Sequence, residues 1–240
     1  MDCESHYSRE ISSGPRVPDW IREFSYPDWT NVFQLVANNE NLYPEALRPE
    51  WKTQFNDWNG RILLLAKDGC PTCVIREACD KREMQPWRYS QQELGDEGGW
   101  RTNKRLYRFA SVVPGGKLYG SATANMLYDD PGWSRPLPGV FGGPMHNFLR
   151  RVFCWVLESM PNVEWVACLG NEAWFLTCNA IGMPAAARRF REYRDTCRPV
   201  AGTVGKKIMT AFPFHHPSRV SNAAGEKEWK AFAGLVAAPK

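Results

Sequence analysis

The run Arg61-Ile-Leu-Leu-Leu-Ala66 stops abruptly at Lys67, Asp68 and Gly69. An unbroken apolar run of this length reads as a strand buried on both faces. Gly60 ahead of it and Gly69-Cys70-Pro71 after it punctuate the chain. A strand covered on both faces calls for a sheet with helices on either side. In open α/β sheets, ligands bind in the crevice at the carboxyl ends of such strands. Asp68 stands at that position. A solvated strand end is the plainer role for a carboxylate there.

The 240 residues suit one compact domain with an N-terminal extension. Residues 1–60 are rich in Pro and Trp and read as a helical extension packed on the core, with residues 61–240 as the α/β domain. Short helices are predicted over Thr30–Ala37 and Pro49–Trp58. In the second, Trp51, Phe55 and Trp58 share one face. Further helices are predicted over Val74–Arg82, Asn103–Ser111, Met145–Met160, Ala173–Ile181 (closed by Gly182) and Glu226–Val236. Strands are predicted over Lys117–Thr123, Val163–Leu169 and Lys206–Phe212. Residues 83–102 are polar and read as loop. Asn125–Pro144 carries Pro131, Pro136, Pro138 and Pro144 and reads as a long loop, which in a compact domain is usually functional.

This alternation predicts a three-layer α/β/α sandwich with a four-stranded, mainly parallel central sheet. The four strands end in Lys67-Asp-Gly, Thr123-Ala-Asn, Gly170-Asn-Glu and His215-His-Pro-Ser. Parallel strands bring all four clusters to one edge, and that convergence singles out Asp68.

Lys and Arg number 30 against 26 Asp and Glu, a net charge of +4 that weakly favours a polyanionic partner. No window is long and apolar enough to span a bilayer, and Met1-Asp-Cys-Glu-Ser is too polar to open a signal peptide. A cytoplasmic protein is expected, with its eight Cys mostly reduced. Cys70-Pro-Thr-Cys73 between a strand and a helix has the spacing of a thioredoxin-like redox site, close to glutaredoxin. A small redox domain would leave Val163–Lys240 unexplained, and Val113-Pro114 is a loose match to the proline that such a site needs. Cys70, Cys73 and Cys79 cluster without a fourth ligand at recognisable spacing. Cys154 and Cys168 read as small core residues. No metal or other cofactor is expected.

Asp68, Asn125 and His216-Pro-Ser218 close the first, second and fourth strands. Ala66-Lys-Asp-Gly-Cys-Pro71 and His216-Pro-Ser-Arg-Val-Ser221 resemble the two strand-end motifs of the uracil-DNA glycosylase superfamily, Gly-Gln-Asp-Pro-Tyr-His and His-Pro-Ser-Pro-Leu-Ser. Cys168-Leu-Gly-Asn171 is similar to its third-strand end. The resemblance covers roughly Arg61 to Asn222, in matching order. It implies a DNA glycosylase that flips uracil out of single- or double-stranded DNA, hydrolyses its N-glycosidic bond and leaves an abasic site. It also implies a monomer acting in base excision repair, with no membrane partner.

On that resemblance Asp68 stabilises the sugar cation and activates water, and His216 donates to the uracil oxygen that gains charge. Asn125 reads the base edge. Lys67, Gly69 and Cys70 line the base pocket, and Trp100 stacks on the base, with Tyr107 and Phe109 as rivals. Gly170, Asn171, His215, Ser218, Arg219 and Ser221 meet DNA, and Val220 fills the vacated stack. His215 rivals His216 as the acting histidine. Arg188-Arg-Phe-Arg-Glu-Tyr-Arg194, with Arg198, Lys206 and Lys207, is either a solvated face or a phosphate contact.

Of the chain's departures from the family pattern, three bear most on the site. Cys70 replaces a Tyr that excludes thymine, Gly69 replaces a Pro, and Arg219 replaces the Pro after the Ser. The superfamily's iron–sulfur classes carry an N-terminal Cys-x-x-Cys, whereas residues 1–60 hold only Cys3. Two other readings stand beside excision: a thiol–disulfide oxidoreductase using Cys70 and Cys73, and a relative that binds uracil or abasic DNA without turnover. The first is separable directly. The double variant Cys70→Ser/Cys73→Ser is expected to retain uracil excision, and the wild type to leave a mixed disulfide unreduced. Loss of all activity in that variant would favour the redox site.

Overall fold

The computed structural model describes residues 15, 17–31, 34, 57–67, 101–123, 126–128 and 142–238. At its centre is a mixed five-stranded sheet. The run that stops at Lys67 forms β2 (Ile62–Ala66), and every residue in it is buried. It pairs in parallel with β3 (Lys117–Ser121) on one side and β5 (Trp165–Leu169) on the other. Next to β5 lies β7 (Lys207–Phe214), again parallel. The sheet has five strands rather than four, because β6 (Val200–Val204) adds antiparallel to the edge of β7. Val204 pairs with Lys207, so only Gly205 and Lys206 turn the hairpin. Gly205 has φ +56°, the left-handed conformation that such a two-residue turn requires.

Alternation along β2 divides the core. Leu63 and Leu65 join one apolar cluster with Phe148, Leu149 and Val152 of α3 (Pro144–Ser159) and Trp174 of α4 (Asn171–Ala180). Ile62, Leu64 and Ala66 join the other, with Leu106 and Phe109 of α2 (Arg101–Ala110) and Trp229 and Phe232 of α7 (Asn222–Ala237). Helices therefore cover both faces. Each buried Leu or Ile in these layers contributes about 1.5–3 kcal/mol.

The short α5 (Pro184–Ala187) and α6 (Phe190–Asp195) lead from α4 to β6. Part of the N-terminal stretch packs directly on this core. After α1 (Asp19–Arg22), Phe24 stacks on Phe148 at 3.6 Å, and Arg151 lies over Trp20. The side chain of Asn31 donates to the carbonyls of Ile21, Arg22 and Phe24, which fixes the end of α1.

Two expectations are corrected here. Thr30 and Asn31 do not begin a helix; they lie in β1 (Trp29–Asn31). Met126–Tyr128 is not loop but β4, which pairs antiparallel with β1 in a separate two-stranded sheet. Residues 32–33, 35–56, 68–100, 124–125 and 129–141 lie outside the described residues, and with them the helix over Val74–Arg82 and nearly all of that over Pro49–Trp58. Trp58 itself is in a turn and meets Trp155. Among the described residues, no helix is long and apolar enough to cross a membrane.

Helices α2 and α7 meet closely because α7 has no side chain at Gly225. A Cβ there would sit 2.5 Å from Phe109 Cζ and 2.6 Å from Cε2. Phe109 is only 1% exposed and is hemmed in by the second cluster. Gly225→Ala is expected to destabilise the fold by about 1–3 kcal/mol, outweighing the roughly 1 kcal/mol that Ala gains in helix propensity. A urea melt that shows the variant more stable would refute this packing.

Candidate functional site

From β2 the chain crosses to β3 on one side, and from β5 it crosses to the β6–β7 hairpin on the other. The crevice between the carboxyl ends of β2 and β5 is thus the topological switch point, where open α/β sheets hold ligands. Lys67 leaves β2 at this crevice. Gly170 turns β5 into α4 with φ +108°, a conformation that favours glycine. The Gly170 N–H donates to Phe214 O at 3.1 Å and ties the end of β5 to that of β7. A Cβ at Gly170 would lie 3.8 Å from that of His216, so the histidine stands directly over this turn. Lys67 Nζ reaches Glu172 Oε1, in the first turn of α4, at 3.7 Å. At the end of β3, Ser121 Oγ donates to Lys67 O at 3.3 Å and bonds Thr123 Oγ1 at 3.0 Å. The ends of β2, β3, β5 and β7 meet at one edge, as the parallel order requires.

The short 3-10 turn Pro217–Arg219 begins directly after His216. The Ser218 N–H donates to His216 Nδ1 at 3.3 Å, and Ser218 Oγ lies 2.7 Å from the same nitrogen. A ring nitrogen that accepts a backbone N–H carries no proton. His216 is therefore neutral, with its proton on Nε2. Burial holds its pKa below the ordinary 6.5; the Arg219 cation lowers it further, the Glu172 carboxylate opposes, and Lys67 lowers it slightly. A neutral imidazole offering Nε2–H is a hydrogen-bond donor that takes no part in charge repulsion with nearby cations.

His215 serves the other direction. Its N–H donates to Glu228 Oε2 at 3.1 Å, and its Nδ1 bonds Glu228 Oε1. Glu228 is 6% exposed. The pair fastens the end of β7 to α7 and leaves only Nε2 of His215 for a ligand. Ser221 caps α7, its Oγ accepting from Ala224 N at 3.3 Å. Asn171 and Arg219 are exposed and Ser218 is half-buried.

Val220, Phe109 and Lys207 do not fit the roles weighed for them. Val220 is buried in the core against α2 and α7, so it offers no wedge to a base stack. Phe109, beneath Gly225, is closed to stacking on a base. In the basic run, Arg189 pairs with Glu192 and Arg194 with Asp195, while Lys207 Nζ donates to Leu157 O, Glu158 O and Met160 O at the end of α3. Lys207 is thereby withdrawn from any phosphate, whereas Arg188, Arg191, Arg198 and Lys206 stay exposed. Tyr107 is half-buried against the second cluster.

Asp68, Gly69, Cys70, Cys73, Cys79, Trp100 and Asn125 lie outside the described residues. Cys154, Cys168, Cys178 and Cys197 are free thiols. Burial pushes the Cys168 thiol up to about 12, which leaves it inert at neutral pH. Among the described residues, no three His, Cys, Asp or Glu side chains are grouped to hold a metal ion.

Two residues that hold the site, Arg105 and Glu228, were not singled out by the sequence. Arg105 Nη1 donates to Pro217 O at 3.1 Å and Val220 O at 2.6 Å, and Glu172 and Glu228 face Lys67 and His215. Glu172 belongs to the Gly170-Asn-Glu strand end; nothing in the local sequence marks Arg105 or Glu228. No protein-family model matches the chain, and no curated protein matches it.

The His216 state predicts a pH dependence. Its folded-state pKa is depressed, so the unfolded chain takes up this proton first. Its contribution to stability is fully present above pH 6.5 and is lost as the pH falls through the folded-state value. The stability difference between wild type and His216→Gln is expected to shrink on acidification from about pH 7 to about pH 5. A difference independent of pH, by urea denaturation, would show that His216 is not held neutral.

Proposed function

We propose that this protein is a DNA glycosylase that hydrolyses the N-glycosidic bond of a flipped-out uracil and leaves an abasic site. The observation that carries this reading is the Ser218 N–H aimed at His216 Nδ1, which assigns the ring proton to Nε2, at the switch-point edge of a largely parallel sheet. The motif resemblance at Lys67-Asp68 and His216-Pro-Ser218 supplies the substrate.

The chemistry needs what such a histidine offers. Breaking the bond between C1′ and N1 sends its electron pair into the base, and negative charge gathers on a ring oxygen. A neutral Nε2–H donates to that oxygen in the transition state without having to transfer its proton. A charged imidazolium would instead sit among Lys67 and Arg219, and burial would disfavour it further. The sugar is left as an oxocarbenium cation, which a carboxylate at Asp68 stabilises electrostatically. Water adds its oxygen to C1′ and gives one proton to Asp68. The departing uracil anion takes a proton from solvent and Asp68 returns the one it received, so the net reaction consumes one water.

The polar ends of β5 and β7 support contact with the DNA backbone. Asn171, Ser218 and Arg219 are accessible there, and backbone contacts of this kind position DNA without reading its sequence. Lys67 and Glu172 form an ion pair at the same edge, so the local field is mixed rather than uniformly basic.

A uracil-containing oligonucleotide, cleaved with alkali after incubation, tests the reading. Wild type is expected to generate the abasic product. Asp68→Asn is expected to lose most base release with DNA binding nearly intact, because charge is removed at constant shape. His216→Ala is expected to lower single-turnover release by about 10²–10³, the usual cost of one oxyanion donor. Tight binding of uracil-containing DNA with no release would favour the non-catalytic relative, and no binding at all would reject the assignment.

A further inference from the structure

The turn that presents His216 has little to hold it by itself. Pro217–Arg219 is three residues long, and its backbone supplies one bond, Arg219 N to His216 O at 2.9 Å. A single turn of 3-10 helix is weak in isolation. The turn nevertheless has to keep the Ser218 N–H and Oγ aimed at His216 Nδ1. A loop that relaxed would free the ring to carry its proton on either nitrogen.

Its entry is fastened by Glu228, which grips the backbone and ring of His215 from α7. Its exit is fastened from α2. One nitrogen of Arg105, Nη1, donates both to Pro217 O at 3.1 Å and to Val220 O at 2.6 Å. The two carbonyls bracket Ser218 and Arg219, so this one contact sets the span of the turn. Bonds from a charged donor are roughly twice as strong as neutral ones. Arg108, one helical turn further along α2, pairs instead with Glu226. Among the described residues, Arg105 forms no ion pair; its hydrogen bonds go to the turn.

We infer that Arg105 is a positioning residue: by spanning the carbonyls of Pro217 and Val220 it keeps Ser218 against His216 Nδ1, and so keeps the ring proton on Nε2. It acts through the turn and does not touch the reacting atoms. Only the kinetic part of the inference rests on the excision reading; the tautomer of His216 is a property of the protein alone.

Three variants test it. Arg105→Ala removes the guanidinium, Arg105→Met removes it but keeps the apolar stem, and Arg105→Lys keeps a cationic donor on a long stem. Nitrogen-15 spectra of His216 above its pKa are expected to show one tautomer in wild type and in Arg105→Lys. A fast-exchanging mixture of both tautomers is expected in Arg105→Ala and Arg105→Met. Single-turnover release of uracil is expected to fall by about 10- to 100-fold in the Ala and Met variants, with KM little changed, and to recover in part with Lys. A folded Arg105→Met protein whose His216 stays wholly in the Nε2–H tautomer would overturn the inference. Should wild type release no uracil, the excision reading fails, while the nitrogen spectra still decide the role of Arg105.

Discussion

A backbone N–H cannot change its protonation state. The Ser218 N–H that points at His216 Nδ1 therefore decides which ring nitrogen carries the proton, and Ser218 Oγ, which can donate as well as accept, conforms to that choice from the same side. Burial and the Arg219 cation then keep the ring neutral. The rest of the site follows from this arrangement. The histidine can only donate through Nε2, it faces the end of the sheet over Gly170, and it brings no extra positive charge to the crevice between β2 and β5.

Holding one turn in place draws on the whole second face of the sheet. The turn lies between α2, which reaches it through Arg105, and α7, which begins directly after it under the Ser221 cap and holds His215 through Glu228. The two helices approach over Gly225 and Phe109, where a single Cβ has no room. Packing at that contact sets the spacing of the two clamps, and the clamps set the geometry of His216. The opposite face, with α3 and α4 against Leu63 and Leu65, fixes the strand ends and the Lys67–Glu172 pair.

Much of this frame was legible in the chain itself. The runs at Ile62–Ala66 and Trp165–Leu169 are buried on both sides and carry no polar residue that could reverse the assignment. The α3 stripe of Phe148, Val152 and Trp155 is helical in period. β6 was not legible because its burial alternates over only five residues, and its partner strand exposes Ile208 to 73%. β1 and β4 are three residues each and exist only by pairing across the chain, which no local pattern records. Arg105 and Glu228 were hidden for a similar reason. Arg105 binds main-chain carbonyls more than a hundred residues away, so no motif of its own announces it. Val220 misled in the opposite sense: an apolar residue beside a strand-end motif can be a wedge or core, and only the packing of α2 and α7 settles which.

In the proposed reaction, His216 Nε2–H stabilises charge on the departing base. Leaving-group dependence tests it most directly. Single-turnover release is measured for uracil and for uracil carrying fluorine, whose anion is intrinsically more stable, with wild type and His216→Ala. The substitution is expected to cost much less rate on the fluorinated base, because less stabilisation is then needed from the protein. An equal loss on both bases would contradict it, and would place His216 in binding or folding rather than in the bond-breaking step.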